Sequence, residues 1–260
     1  MKFRPCIDIH NGCVKQIVGS SLSDKGDKSL DNFVSDKNAS FYARLYKEAG
    51  LYGGHAIILN PKTSEYYNED VGQARLALEE FPGGLQIGGG INADNAAEFI
   101  SYGASHVIVT SYVFANGIIN YDNLEKLRKA VGREHIVLDL SCREFDGKYY
   151  IVTDRWQNVT KEYISSELIK KLTEYADEFL VHAVDVEGKQ NGIEKKVLNI
   201  LANECKNDKN LTFTYAGGIK TMEDIMIIKN EGNALVDFTV GSALDIFGGN
   251  LSFQNISKFV

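Results

Sequence analysis

Proline is scarce in this chain, three residues in 260, and no stretch is rich enough in proline or serine to mark a linker. Positive charge is not in excess either: 28 Lys and Arg against 35 Asp and Glu give a net charge of −7. That excludes a surface built to coat nucleic acid. It does not exclude phosphate, because backbone N–H groups at helix N-termini hold anions locally. The four cysteines, Cys6, Cys13, Cys142 and Cys205, form no CxxC pair and no cluster with zinc-ligand spacing. Reduced, buried thiols and neither metal nor cofactor are expected. No apolar run approaches the ~18 residues a membrane span needs, and the opening MKFRPCIDIH lacks the apolar core of a signal peptide. The expectation is a soluble cytoplasmic protein with no nucleic-acid or membrane partner.

What is present is alternation. Apolar, strand-like runs fall at 3–9, 55–59, 85–87, 106–109, 135–140, 179–184, 211–215 and 236–240. Amphipathic, helix-like stretches lie between them at 40–48, 71–80, 92–101, 121–131, 165–175, 195–205 and 222–230. Strands alternating with helices imply βαβ units and a parallel sheet. Eight units predict an α/β fold of the (β/α)8 barrel type, a single domain over 1–260, since such barrels run to roughly 250 residues.

The two halves repeat each other. Gly88-Gly89-Gly90-Ile91 corresponds to Ala216-Gly217-Gly218-Ile219, with Gly89 and Gly217 separated by 128 positions. Thr110-Ser111 corresponds to Gly241-Ser242, and CIDI around Asp8 to VLDL around Asp139, both at 131 positions. Three landmarks that agree on a shift of about half the chain argue for a duplicated half-barrel. Two segments, 18–38 and 141–161, are too long for ordinary βα connections. Both follow strands, which assigns them to the C-terminal face where barrel active sites lie. Asp146-Gly147 inside the second is a hairpin-turn signal.

Candidate chemistry follows from this layout. Glycine lets a backbone approach an anion closely, so Gly89, Gly90, Thr110 and Ser111 form one expected phosphate site, and Gly217, Gly218, Gly241 and Ser242 a second. Thr221 with Asp224 has the spacing of a capping box that fixes the following helix. Asp8 and Asp139 close otherwise apolar strands, an expensive place for a carboxylate without a purpose. Two carboxylates on one substrate can divide acid and base roles. Trp156, the sole tryptophan, sits in the second long loop, where a flat ring suits stacking on a planar ligand. His10, Asn11, Lys15, Arg143, Arg155, His182 and Asp185 lie near strand ends, within range of a substrate. His55, His106 and His135 begin strands and are expected to be structural.

From CIDIHNGCVKQIVGSSLSD onward the chain resembles the isomerases of the fourth step of histidine biosynthesis, the phosphoribosylformimino-aminoimidazole-carboxamide ribotide isomerases, in their eukaryotic-type form. The likeness continues through LQIGGGIN, VIVTSYVF, IVLDLSCR, DGKYYIVTDRWQ, EFLVHAVDVEG, YAGGIK and GSALDIFGGN, essentially the whole chain. It implies an Amadori rearrangement of a substrate with a phosphoribosyl group at each end. It further implies Asp8 as the base at C2, Asp139 as the acid toward the ring oxygen, and Trp156 stacked on the imidazole-carboxamide. Lys15, Arg143 and Asp185 are the remaining substrate-contact candidates. No cofactor is implied, and a monomer is expected.

The chain departs from the bacterial members of that family. Their threonine after the strand-six histidine is Ala183 here, their Asp-Gly is Glu187-Gly188, and their strand-two carboxylate is Asn60. Their arginine after strand one is Gln16. Asp185 is the candidate to replace the missing threonine. Two other readings stay open at the level of sequence: the sister cyclase barrel that uses ammonia from a glutaminase, and a barrel that binds phosphorylated ligands without turning them over.

Overall fold

A computed structural model describes residues 1–17, 31–115, 117–153, 156, 158–186 and 192–259. The chain divides into two compact units, one of residues 3–108 and 240–260, the other of residues 1–2 and 109–239. The candidate contact Arg155, the departure at Glu187-Gly188, and most of the expected 18–38 loop lie outside the described residues.

The first unit opens with β1 (Cys6–His10) and β2 (Cys13–Ile17), an antiparallel hairpin in which His10 faces Cys13. The turn between them is Asn11-Gly12, both at positive φ (52° and 72°), as a two-residue hairpin turn requires. Strand β3 (Asp31–Val34) pairs antiparallel with β2. The sequence predicts loop here: these four residues carry no alternation of their own and are extended because β2 offers an edge. After α1 (Ala39–Glu48) comes β4 (Gly54–Ile58), parallel to β1. Then α2 (Tyr67–Glu80), β5 (Leu85–Gly88), α3 (Ala96–Ser101) and β6 (His106–Val109) follow, with β5 parallel to both β4 and β6. Ile7, Ile9, Ala56, Ile58, Leu85, Ile87 and Val107 are buried. These near-continuous apolar runs are what a parallel sheet covered on both faces demands. Tyr46 of α1 is fully buried, its hydroxyl donating to Cys6 O at 2.8 Å, so its polar end is satisfied.

The second unit begins with a short hairpin, β7 (Phe114–Ala115) and β8 (Ile118–Ile119), then α4 (Tyr121–Val131), capped by Asn120. Strand β9 (Ile136–Asp139) leads into a three-stranded antiparallel meander of β10 (Cys142–Phe145), β11 (Lys148–Thr153) and β12 (Asn158–Tyr163). The Asp146-Gly147 signal is realised: both residues have positive φ, and Phe145 pairs with Lys148. Next come α5 (Ser166–Leu172), β13 (Glu178–His182), α6 (Lys195–Asn207), β14 (Thr212–Ala216), α7 (Met222–Glu231) and β15 (Asp237–Phe238). Strands β9, β13, β14 and β15 are parallel in that order. The capping box at Thr221 and Asp224 forms as expected.

The chain then returns to the first unit with α8 (Phe253–Phe259), where Phe253 packs edge-on to Phe3 at 6.2 Å and against Tyr46 at 5.8 Å. Each unit thus contributes a set of parallel strands joined by helices. In each, one parallel strand, β1 or β9, ends on an aspartate or passes through one, and an antiparallel excursion follows, β2–β3 after Asp8 and β10–β12 after Asp139. This is the repeat the sequence predicts, and the strand complement is that of the (β/α)8 class.

Candidate active site

Asp139 is held by four polar contacts in the second unit. Its Oδ1 accepts from Ser141 N at 2.9 Å and Ser141 Oγ at 2.8 Å, and lies 3.4 Å from His182 Nδ1. Its Oδ2 accepts from Thr110 Oγ1 at 3.2 Å. Burial would raise the pKa of this carboxyl; the charge and hydrogen bond of His182, with the Ser141 and Thr110 hydroxyls, outweigh it and hold Asp139 below the ordinary carboxylate value. Asp139 is therefore ionised at neutral pH.

Each partner has a local reason to be there. Ser141 follows Asp139 by two residues, the spacing at which a side-chain oxygen takes a nearby backbone N–H. Neither Ser141 nor its contact is expected from the sequence, though that spacing is the signal for it. His182 ends β13, which pairs directly with β9. Trp156 tilts over His182, ring centroids 6.2 Å apart at 44°. It does so from φ +67°, a left-handed conformation that a bulky side chain seldom adopts. Such strain persists only where the surroundings impose it, and it clusters at functional sites.

Arg143 and Asp185 form a second group. Arg143 Nε donates to Asp185 Oδ1 at 3.1 Å, and Glu144 N donates to Asp185 Oδ2 at 3.0 Å. A bridge between Cys142 and Ala183 sets the start of β10 beside the end of β13. Asp185 is thus tied to the residue expected beside it as a substrate contact, and both remain about a third exposed. Cys142 is buried, which pushes its thiol up, and burial raises Cys205 to about 11, so neither is a thiolate at neutral pH.

In the first unit, Asp8 Oδ2 accepts from Gln16 Nε2 at 3.1 Å. Lys15 is opposite Asp8 across the β1–β2 pair and is largely buried. The turn between these strands is held from outside: Asn11 N donates to Asn60 Oδ1 at 2.8 Å, Asn60 Nδ2 to Asn11 Oδ1 at 2.9 Å, and Gly12 N to Asp70 Oδ1 at 2.7 Å. Asn60, the residue that departs from the bacterial carboxylate, is therefore a strut for the turn after Asp8.

The glycines differ in why they are glycine. Gly89 has φ +100°, and a Cβ on it would stand 2.0 Å from Ile58 O. Gly218 has φ +72° and would meet Gly192 O at 2.0 Å. Gly90 has φ +67°, but a Cβ there would make only ordinary contacts, 3.5 Å from the Lys62 stem and 3.9 Å from the Tyr67 hydroxyl. Lys62 and Tyr67 beside this turn are missed by sequence reasoning, which has no signal for them. Gly217 has φ +123°. Gly241 is half-buried and Ser242 and Ser111 are exposed. The hydroxyl of Thr110 is engaged by Asp139, so its remaining donor for an anion is its backbone N–H. Among the described residues no group of three or more His, Cys, Asp or Glu could hold a metal ion, and no helix is long and apolar enough to cross a membrane.

The model of the histidine biosynthesis protein family matches residues 2–251. Over 260 residues the chain is 50% identical to the chloroplastic 1-(5-phosphoribosyl)-5-((5-phosphoribosylamino)methylideneamino)imidazole-4-carboxamide isomerase of Medicago truncatula, covering 98% of this chain and 80% of the relative. The isomerase of the same name from Saccharomyces cerevisiae is 44% identical over 253 residues, 96% of this chain and 94% of the relative. That from Yarrowia lipolytica is 42% identical over 253 residues, 96% and 93%.

Proposed function

This chain belongs to the histidine biosynthesis protein family, and on that premise we propose how its residues carry out the isomerisation for which its relatives are named. It is an enzyme, an isomerase of histidine biosynthesis with the (β/α)8 barrel fold of the family. The finer reading is an Amadori rearrangement: a ring-closed aminoaldose with two phosphoribosyl groups opens and becomes the aminoketose.

Up to the enolamine the reaction asks for two proton transfers; the enolamine then takes a proton at C1 and loses the one on its C2 hydroxyl to become the aminoketose. Opening the ring needs a proton delivered to the ring oxygen, and the rearrangement then needs the C2 proton removed. Asp8 is the base for the second step. For the first, Asp139 alone is a poor acid, since it is held ionised. The observation that carries this reading is the Asp139–His182 contact: the proton is held by the pair, with Asp139 orienting the imidazole and Ser141 and Thr110 fixing the carboxylate. Trp156, over His182, stacks on the planar imidazole-carboxamide. Lys15, Arg143 and Asp185 contact the substrate between its ends. The turns at Gly89-Gly90, Thr110-Ser111, Gly217-Gly218 and Gly241-Ser242 are the anion contacts for its phosphates. The chemistry calls for no cofactor and no second subunit, and a cytoplasmic monomer belongs to the same reading.

The test is turnover of the bis-phosphoribosyl aminoaldose by purified protein without any ammonia source. Product formation abolished in Asp8→Asn supports the assignment. Turnover that requires a glutaminase would point to the cyclase, and binding without turnover to a ligand-binding barrel.

A further inference from the structure

Within the first unit, several groups meet around one amide. Gln16 on β2 is 3% exposed. Its Nε2 donates to Asp8 Oδ2 at 3.1 Å and lies 3.8 Å from Cys6 Sγ. Cys6 Sγ in turn lies 3.7 Å from Val240 O. On its other side, the Gln16 amide oxygen is 2.5 Å from where a Cβ on Gly241 would stand. Gly241 is not among the glycines at positive φ. Its own backbone therefore accepts any residue, and what leaves no room for a side chain is the Gln16 amide.

We propose that Gln16 is a positioning residue that aims the Asp8 carboxylate, and that Gly241 is glycine to leave the Gln16 amide its place. The inference rests on the reading of Asp8 as the base. A carboxylate at a strand end turns easily about its last bond, and a base works only with one oxygen aimed at the proton it takes. The donor on Oδ2 restrains rotation of the group about that bond. A buried amide is costly unless paired, and here the pairing is with Asp8. The amide is neutral, so its own hydrogen bond stabilises the carboxylate less than a cation in the same place would. Ionisable groups on elements flanking β1 include Lys15 opposite Asp8 and Cys13 opposite His10 on β2, His55 of β4 level with Cys6, Tyr46 of α1, bonded to Cys6 O, and Glu69 and Asp70 of α2 beside Gly12.

The same contact couples a turn to the base. A Cβ at Gly241 is relieved most cheaply by moving the far end of a flexible side chain, and that end is the amide on Asp8. Thus a substitution in the turn after the last strand acts on proton abstraction as well as on any anion nearby.

The experiment compares wild type, Gln16→Met, Gln16→Glu, Gly241→Ala and Gln16→Met/Gly241→Ala. It reads steady-state kinetics across pH, and the carboxyl 13C titration of Asp8 in the ligand-free protein. Gln16→Met keeps length without a donor. It is expected to lower kcat about 10- to 100-fold, the equivalent of one hydrogen bond to a charged group, with KM changed less than about twofold. Loss of a donor to the charged form raises the Asp8 pKa, so the acid limb of kcat/KM and the 13C titration both move to higher pH. Gln16→Glu, isosteric and so expected to fold, moves both further by adding like charge. Gly241→Ala lowers kcat, and the double variant is no worse than Gln16→Met alone. Unchanged kcat and Asp8 titration in both Gln16 variants, or full additivity in the double variant, would overturn the proposal. An inactive wild type would instead sink the reading of Asp8 as base, while the ligand-free titration would still decide whether Gln16 holds it.

Discussion

His182 Nδ1 lies 3.4 Å from Asp139 Oδ1, and Ser141 Oγ stands 3.4 Å from the same nitrogen and 2.8 Å from the same oxygen. The three atoms form a closed triangle in which the imidazole, the hydroxyl and the carboxylate fix one another. His182→Asn and Asp139→Asn should each lower kcat by about 10²- to 10⁴-fold, the range of a lost acid–base group. Their combination should cost little more than either alone, because members of one unit are not additive. Multiplicative losses in the double variant would separate the two residues.

The same pair should be visible in stability. Asp139 ionises in the folded protein below the ordinary carboxylate value, through His182 and the two hydroxyls acting against burial. Its contribution is complete above the unfolded pKa and is lost as pH falls through the folded one. Urea midpoints of wild type should therefore drop on acidification more than those of His182→Asn. At pH 7 the variant should be less stable by about 1–3 kcal/mol, the scale of a charged hydrogen bond. Parallel pH curves would show that the contact contributes nothing net.

Trp156 gives a prediction in two parts. Trp156→Ala removes the ring and should lower kcat/KM about tenfold, the scale of one aromatic stacking contact. Trp156→Gly removes the ring and also relieves φ +67°. It should lose the same activity yet be about 1 kcal/mol more stable than the alanine variant. Equal thermal midpoints for the two would mean the loop adapts its backbone without cost.

Gly89 and Gly90 are neighbours with different constraints. Gly89→Ala drives a Cβ to 2.0 Å from a backbone oxygen at φ +100° and should destabilise the protein by about 3 kcal/mol or more. Gly90→Ala meets only the Lys62 stem and the Tyr67 hydroxyl at ordinary contact distance and should cost about 1 kcal/mol, from φ alone. If the turn contacts a phosphate, Gly90→Ala raises KM more than it lowers stability. An unaltered KM would reduce Gly90 to a plain turn.

The legible parts of this protein are those written locally. Alternating runs predict the parallel strands, the Asp146-Gly147 pair predicts its hairpin, and Thr221 with Asp224 predicts its cap. The half-chain repeat pairs Asp8 with Asp139 because duplication leaves its register in the sequence. What was not legible depends on contacts made after folding. His182 meets Asp139 across 43 positions, and Gln16 meets the site of Gly241 from the other end of the chain. Strand β3 exists only because β2 presents an edge to it. The glycine pattern identifies the turns but not which glycine is demanded by φ, which by a neighbouring carbonyl and which by a side chain.

The Asn11-Gly12 turn has a kinetic consequence. An exposed two-residue turn normally surrenders its amide protons to solvent at almost every local fluctuation. Here both amides are bonded to side chains from later elements, Asn11 to Asn60 and Gly12 to the wholly buried Asp70 of α2. Neither proton can leave until β1, the segment after β4, and α2 part company. In deuterium exchange this turn should behave as core, opening with the surrounding unit rather than ahead of it. The strand that carries Asp8 is then fastened at its tip and kept in place between turnovers.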